Sequence, residues 1–232
     1  MAVRLGLRFL KGLSEKAGKA IESESARRSF ADVADLSRRC ALRPDEMDRL
    51  AWAGALSSLG LSRREAMWQL AEVGRRAGPL YESLPPSSAP APLPPMSALA
   101  ETEADYDATG MTAGPHLLSY LRDRLKEEGV LSAAELATRG NGDRVRAAGA
   151  VIVRQRPGTA KGFVFLSLED ESGIVQAIVR PDLFRENRSL IVGSPGLVVE
   201  GKLQTTDGTL SVRADRFWPL PSLPDVPSHD FR

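Results

Sequence analysis

The sequence predicts an α+β chain of more than one domain: a helical unit, a proline-rich linker, and a five-stranded β-barrel toward the C-terminus. Three observations carry this. Residues 144–217 hold five short runs of apolar and β-branched residues separated by turn signals. Residues 84–97 read LPPSSAPAPLPPMS, a composition that cannot sustain helix or ladder donors. The residues before them space their apolar side chains three and four apart, as amphipathic helices do.

The barrel elements follow in order. A first strand begins near Val145 and stops near Arg156, where Pro157-Gly158 must turn. After a loop through Gly162 come a second strand, Phe163 to Leu168, the polar turn Glu169 to Gly173, and a third strand, Ile174 to Val179. Alternation assigns the faces. Val164, Leu166 and Leu168 form one apolar row pointing inward, and Phe163, Phe165, Ser167 and Glu169 share the outer face. The third strand divides the same way, with Gln176 and Arg180 outside. Two aromatic rings among polar groups suit base stacking; with the faces inverted, both rings would be core. Pro181 ends the third strand, a helix capped by Asp182 runs to Ile191, and strands Gly196 to Gln204 and Thr209 to Phe217 flank a turn ending in Asp207-Gly208. Three strands, a short helix and a closing hairpin describe an oligonucleotide/oligosaccharide-binding (OB) fold. Its expected single-strand contacts are Arg154, Arg156, Lys161, Phe163, Phe165, Gln176 and Arg180.

Composition narrows the classes. At 232 residues with 42% hydrophobic content the chain can build one or two cores. No run approaches the ~20 apolar residues of a membrane span, and Arg4, Arg8 and Lys11 interrupt the N-terminus too often for a signal peptide. One cysteine, Cys40, excludes an internal disulfide and a cysteine-based zinc site, and a reducing cytoplasm is the expected compartment. The net charge of +1 hides a division: residues 1–79 carry 15 basic and 10 acidic side chains, residues 80–143 carry 4 and 10, and residues 144–232 carry 12 and 10. Contact with a polyanion is therefore expected from the first and last thirds.

In the first third, an apolar segment from Leu7 runs into a short loop at Gly12 and then a helix whose Ala17 and Ile21 face back, a helix-hairpin-helix pattern. Such a hairpin grips phosphate with backbone N–H groups at the second helix's N-terminus. Lys11, Gly12, Leu13, Ser14, Lys16 and Lys19 are the candidate contacts. The usual Gly-apolar-Gly is here Gly12-Leu13-Ser14, with Ser14 a possible N-cap; an ordinary helical hairpin has the same spacing. Helices continue to Arg76, one beginning at Pro44 and one near Ser62, where Arg63 and Arg64 either face DNA or form a solvated face. The acids Glu101, Glu103, Asp105 and Asp107 read as the solvated face of a connecting helix. The domains are thus residues 1–83, helix-hairpin-helix; 84–99, linker; 100–142, acidic helical connector; 143–220, OB barrel; and 221–232, tail.

Four stretches carry a resemblance to a known family: RLGLRFLKGLSEKAGKAI at 4–21, LAWAGALSSLGLSRREAMWQL at 50–70, ADYDATGMTAGPHLL at 104–118 and RVRAAGAVIVRQRPGTAKGFVFLSLEDESGIVQAIVRPDLF at 144–184. Together they resemble the C-terminal region of a bacterial C-family DNA polymerase of the error-prone branch, related to the replicative polymerase III alpha subunit. The resemblance implies translesion nucleotide addition with Mg²⁺ and deoxynucleoside triphosphates for the whole polymerase. It implies duplex and single-stranded DNA as partners, alongside the rest of the polymerase or translesion accessory proteins, and no membrane. It also places the catalytic carboxylates in a palm domain outside this chain, so no catalytic residue, metal site or cofactor is expected within it. Two other classes compete: a stand-alone single-strand-binding or repair accessory protein, and a protein-interaction module, since a barrel does not fix a function. The barrel also broadly resembles the anticodon-binding domain of some aminoacyl-tRNA synthetases, although the helical hairpin argues against that class.

Overall fold

The computed structural model describes residues 5–75, 92–206, 209–220 and 229–230. Residues 84–91 of the proline-rich linker, Arg76, the Asp207-Gly208 turn and most of the tail lie outside the described residues. Two compact units divide between Ala113 and Gly114.

The helical unit contains α1 (Glu15–Arg27), α2 (Val33–Cys40), α3 (Pro44–Trp52), α4 (Arg63–Arg75) and α5 (Ala98–Thr109). Each start has a local cause. Ser14, Asp32 and Ser97 accept from the third N–H of α1, α2 and α5, and Pro44 opens α3 where its missing N–H costs nothing. Leu10, Ala17, Leu36, Met47, Leu50 and Ala66 meet in the core. Ala108 of α5 joins them, fully buried, so the acidic helix belongs to this unit rather than to a connector spanning residues 100–142. Asp105 departs from the solvated-face reading, while Glu101 and Asp107 remain exposed. Asp105 pairs with Arg63 and accepts from Thr112 Oγ1 at 2.8 Å, and Asp107 accepts from Trp52 Nε1 at 2.9 Å.

The second unit is a closed barrel of β1 (Arg144–Gln155), β2 (Val164–Asp170), β3 (Gly173–Val179), β4 (Gly196–Thr206) and β5 (Thr209–Pro219). β1 pairs with β4 through its first half and with β2 through its second; β2–β3 and β4–β5 are antiparallel, and β3–β5 is parallel. Before the barrel stand α6 (Arg122–Glu127) and α7 (Ala133–Leu136). Asp170 fixes the β2–β3 turn by accepting from the N–H groups of Ser172 and Gly173 at 2.7 and 3.0 Å. Where the sequence predicts one helix capped by Asp182, the chain forms two, α8 (Pro181–Glu186) and α9 (Arg188–Gly193). The N-cap of α8 is Arg180, without a side-chain bond, and Asp182 stands inside the first turn. A short β6 (His229–Asp230) in the tail runs parallel to β1 at Val153 and Arg154, a pairing the sequence does not announce.

Leu166, Leu168, Val179, Ile191, Leu197, Val199, Leu203 and Val212 fill the barrel. Among the described residues no helix is long and apolar enough to cross a membrane. No group of three or more His, Cys, Asp or Glu converges as metal ligands among them either.

One position tests the β4–β5 packing. At Gly201, beside a bulge in the pairing, an added Cβ would collide with the Arg213 carbonyl oxygen. Gly201→Ala is expected to destabilise the barrel by ~1–3 kcal/mol, read from denaturant unfolding. Gly193→Ala, where a Cβ meets nothing within 4 Å, is expected to change it by less than ~0.5 kcal/mol.

Candidate nucleic-acid interface

The hairpin is built by one glycine and one serine. Gly12 takes a φ of +84°, which only glycine adopts freely. Ser14 has a φ of −72°, so the site where glycine is usual needs none. Its hydroxyl works in both directions: it accepts from Ala17 N at 3.2 Å and donates to Glu46 Oε1 at 2.6 Å. Ser14 N–H donates to the same Glu46 oxygen at 3.3 Å, and Arg43 N–H donates to Glu46 Oε2 at 3.1 Å. A nearly buried carboxylate therefore occupies one hairpin donor that the sequence reading assigned to phosphate. The N–H groups of Glu15 and Lys16, first and second in α1, have no acceptor within the helix.

The lysines divide. Lys16 is exposed on the first turn. Lys19 pairs with Glu15 at 2.7 Å on the surface, and Lys11 Nζ donates to the Tyr106 carbonyl at 3.3 Å. Leu13 is half-buried and packs on the helical core, so it contributes shape to the hairpin.

Arg63 requires a correction. Its guanidinium is largely buried, pairs with Asp105, and donates to the carbonyls of Trp52 and Glu101 at 3.1 and 3.2 Å. It fastens α5 to the unit instead of facing DNA. Arg64 donates to the Pro94 carbonyl at 2.6 Å. In the barrel, Arg154 is likewise structural: it donates to the carbonyls of Ile191 and Ser194 at 2.9 and 2.6 Å, closing the C-terminal end of α9.

The β2–β3 faces are as alternation assigns them. Val164, Leu166 and Leu168 are 3% exposed or less, Phe165 is half-buried on the outer face, and Phe163, also half-buried, stands one residue before β2 rather than in it. Phe165 lies opposite Ile178, and Ser167 opposite Gln176, whose Nε2 donates to Ser167 Oγ at 3.0 Å. Arg156 is exposed with its guanidinium 5.7 Å from the Phe184 ring, Lys161 is exposed in the loop before β2, and Arg180 sits 3.8 Å from Asp182. The face thus offers rings and amides with charge only at its ends.

Sequence reasoning missed the basic residues of β1, β4 and β5. Arg144 and Arg146 grip Glu200, at 3.0 and 2.6 Å, and these bonds hold its carboxyl below the usual range. The alternation Arg-Val-Arg at the start of β1 is the signal that both point outward.

Glu46 gives the hairpin a pH dependence. The bond from the Ser14 hydroxyl, then that from Arg43 N–H, lowers its pKa. A depressed folded pKa means stabilisation that is full above the unfolded value of about 4.3 and is lost as pH falls through the lower folded value. Melting of the chain is expected to drop more steeply as pH falls below about 4.3 than melting of Glu46→Gln, which has no such proton to take up. Parallel curves for the two would contradict this.

The geometry accords with similarity to known proteins. Residues 1–66 match the helix-hairpin-helix motif family, and residues 142–220 match a family described as OB-fold nucleic acid binding domain. The error-prone DNA polymerase of Bordetella parapertussis is 41% identical over 222 residues, covering 96% of this chain and 21% of that protein. That of Pseudomonas fluorescens is 41% identical over 235 residues, covering 100% and 23%. Among solved structures, asparaginyl-tRNA synthetase from Pyrococcus horikoshii is 24% identical and covers 41% of this chain and 24% of that one, with a TM-score of 0.34, a likeness that carries no argument. The chain spans about a fifth of the length of the curated relatives it matches. Along nearly all of its own length the chain is similar to one portion of these bacterial error-prone DNA polymerases.

Proposed function

We propose that this chain is a DNA-binding part of an error-prone, translesion DNA polymerase, holding duplex phosphates at its helical hairpin and single-stranded template on its barrel. The observation that carries this is the pairing of a helix-hairpin-helix unit with an OB fold in one chain that, along its own full length, matches about a fifth of such polymerases. At the hairpin, the N–H groups of Glu15 and Lys16 and the Lys16 ammonium are the contacts left for phosphate, with Lys11 and Lys19 adding charge nearby. At the barrel, Phe163 and Phe165 stack bases, Gln176 and Arg180 flank them, and Arg156 and Lys161 meet the backbone. Nucleotide addition, with its Mg²⁺ and triphosphates, is the work of the remainder of the polymerase in a bacterial cytoplasm.

The barrel reading is tested with Phe163→Ala and Phe165→Ala. Losing a ring that stacks on a base is expected to cost ~1–3 kcal/mol of oligothymidylate affinity with little change in melting. A loss of ~3–5 kcal/mol in folding stability with normal binding by the folded protein would instead make the rings core.

The hairpin reading is tested with Lys16→Glu, which is expected to weaken binding to a short duplex of any sequence and to lower its dependence on salt. Unchanged duplex affinity at low salt would remove the hairpin from the interface.

A further inference from the structure

The outer face of the barrel continues past the aromatic pair in an unbroken row of register partners. Phe165 lies opposite Ile178, Ile178 beside Arg213, Arg213 opposite Lys202, and Lys202 opposite Arg144. The row passes from aromatic and apolar on β2 and β3 to basic on β5, β4 and β1. In the next row Arg146 and Arg216 flank Glu200.

The basic end is unusual for a merely solvated surface. Like charges directly opposite on neighbouring strands repel, yet Arg213, Lys202 and Arg144 stand side by side. The carboxylates beside them on β4 and β5 are already engaged. Glu200, 8% exposed, is held by Arg144 and Arg146, and Asp215 lies 3.5 Å from Arg144. Arg146 also covers the Trp218 ring at 5.2 Å, which sets its position. Lys202, Arg213 and Arg216 are exposed and have no ion-pair partner among the described residues. Five basic groups stand in these two rows against the two engaged carboxylates of β4 and β5, with Asp143 and Glu128 bordering Arg144 and Arg146 at one end.

We propose that a single DNA strand on the β2–β3 face continues around the barrel onto β5, β4 and β1, with its phosphates on Arg213, Lys202 and Arg144. This rests on the reading that the barrel binds single strands. The two regions need each other: the aromatic face can stack bases but has little charge for the phosphates, and the basic row has the charge. Neighbouring strands lie about 4.8 Å apart, so three adjacent cations offer a track about 10 Å long, enough for more than one phosphate. Glu200 holds Arg144 in place, so that end of the track is ordered before the strand arrives.

The test measures anisotropy of the full chain with labelled oligothymidylates of about 5 and about 16 nucleotides, the range of sites on one OB fold. Lys202→Gln/Arg213→Gln is compared with Arg185→Gln/Arg188→Gln, which removes equal charge from exposed positions on α8 and α9. For the longer strand the first pair is expected to lower affinity and to reduce the slope of log affinity against log salt by about 1.4, two phosphates at about 0.7 each. The shorter strand, the control pair and the melting transition are expected not to change. An unchanged slope for the longer strand, an equal loss with the control pair, or an equal loss for the short strand would each overturn the proposal. Phe165→Ala separates the two readings. If it weakens both strands while the Lys202/Arg213 pair alters neither, the stacking face stands and the track falls; if it weakens neither, the stacking face falls and the track with it.

Discussion

Closure of the barrel through β1 is the constraint on which its whole surface depends. One strand must leave β4 and reach β2 within twelve residues, and it does so at Gly149 and Ala150 with a register shift between Val151 and Val153. At Gly149 an added Cβ would sit 2.8 Å from backbone atoms of Leu168 and Glu169, so the two strands approach closely there. Without that crossing the sheet would have two open edges. With it the sheet closes into a barrel, and the row from Phe165 to Arg144 runs the other way round, across β3, β5 and β4.

In the helical unit, internal ion pairs take the place of that crossing. Asp35, 5% exposed, receives Ala31 N–H and the guanidinium groups of Arg28, Arg38 and Arg39, while Arg39 reaches Glu24 and stacks on Phe30 at 4.5 Å. Glu46 does the same for the hairpin, and Arg63 with Asp105 for α5. Buried charges are tolerated only when paired and hydrogen-bonded. Each pair fixes a loop that the small helical core would leave loose. The consequence for function is subtractive: a basic residue used inside is not available to a phosphate. The excess of 15 basic over 10 acidic side chains in residues 1–79 therefore overstates the charge this unit can offer.

This explains what was legible in the sequence. Strand alternation showed the inward row Val164, Leu166, Leu168 and the outward Phe165, because period-two burial is a local property. Ser14 was readable as a cap for the same reason. Arg63 and Arg154 were not readable, because each is held in part by backbone carbonyls more than thirty residues away, Glu101 for Arg63 and Ile191 and Ser194 for Arg154, which leave no mark in composition. The docking of α5 was hidden behind its acids; the helix buries only alanines and a threonine, too small to announce a buried face. The basic row needed the register of five strands at once, and no window of sequence contains it.

Under the proposed reading, the contacts share one property that the geometry makes plain. Backbone N–H groups at the start of α1 meet phosphate and carry no base information. Rings on β2 stack on any base, since every base has a π-face. Cations on β5, β4 and β1 again see only the backbone. A surface of this kind holds DNA mainly by contacts that do not ask what its sequence is, with Gln176 and Arg180 the polar groups beside the rings. Such indifference is what damaged template requires of the parts of a polymerase that hold it. Where contacts carry no base information, strength comes from charge and stacking, so that the few cations not consumed by the fold weigh more than their number implies.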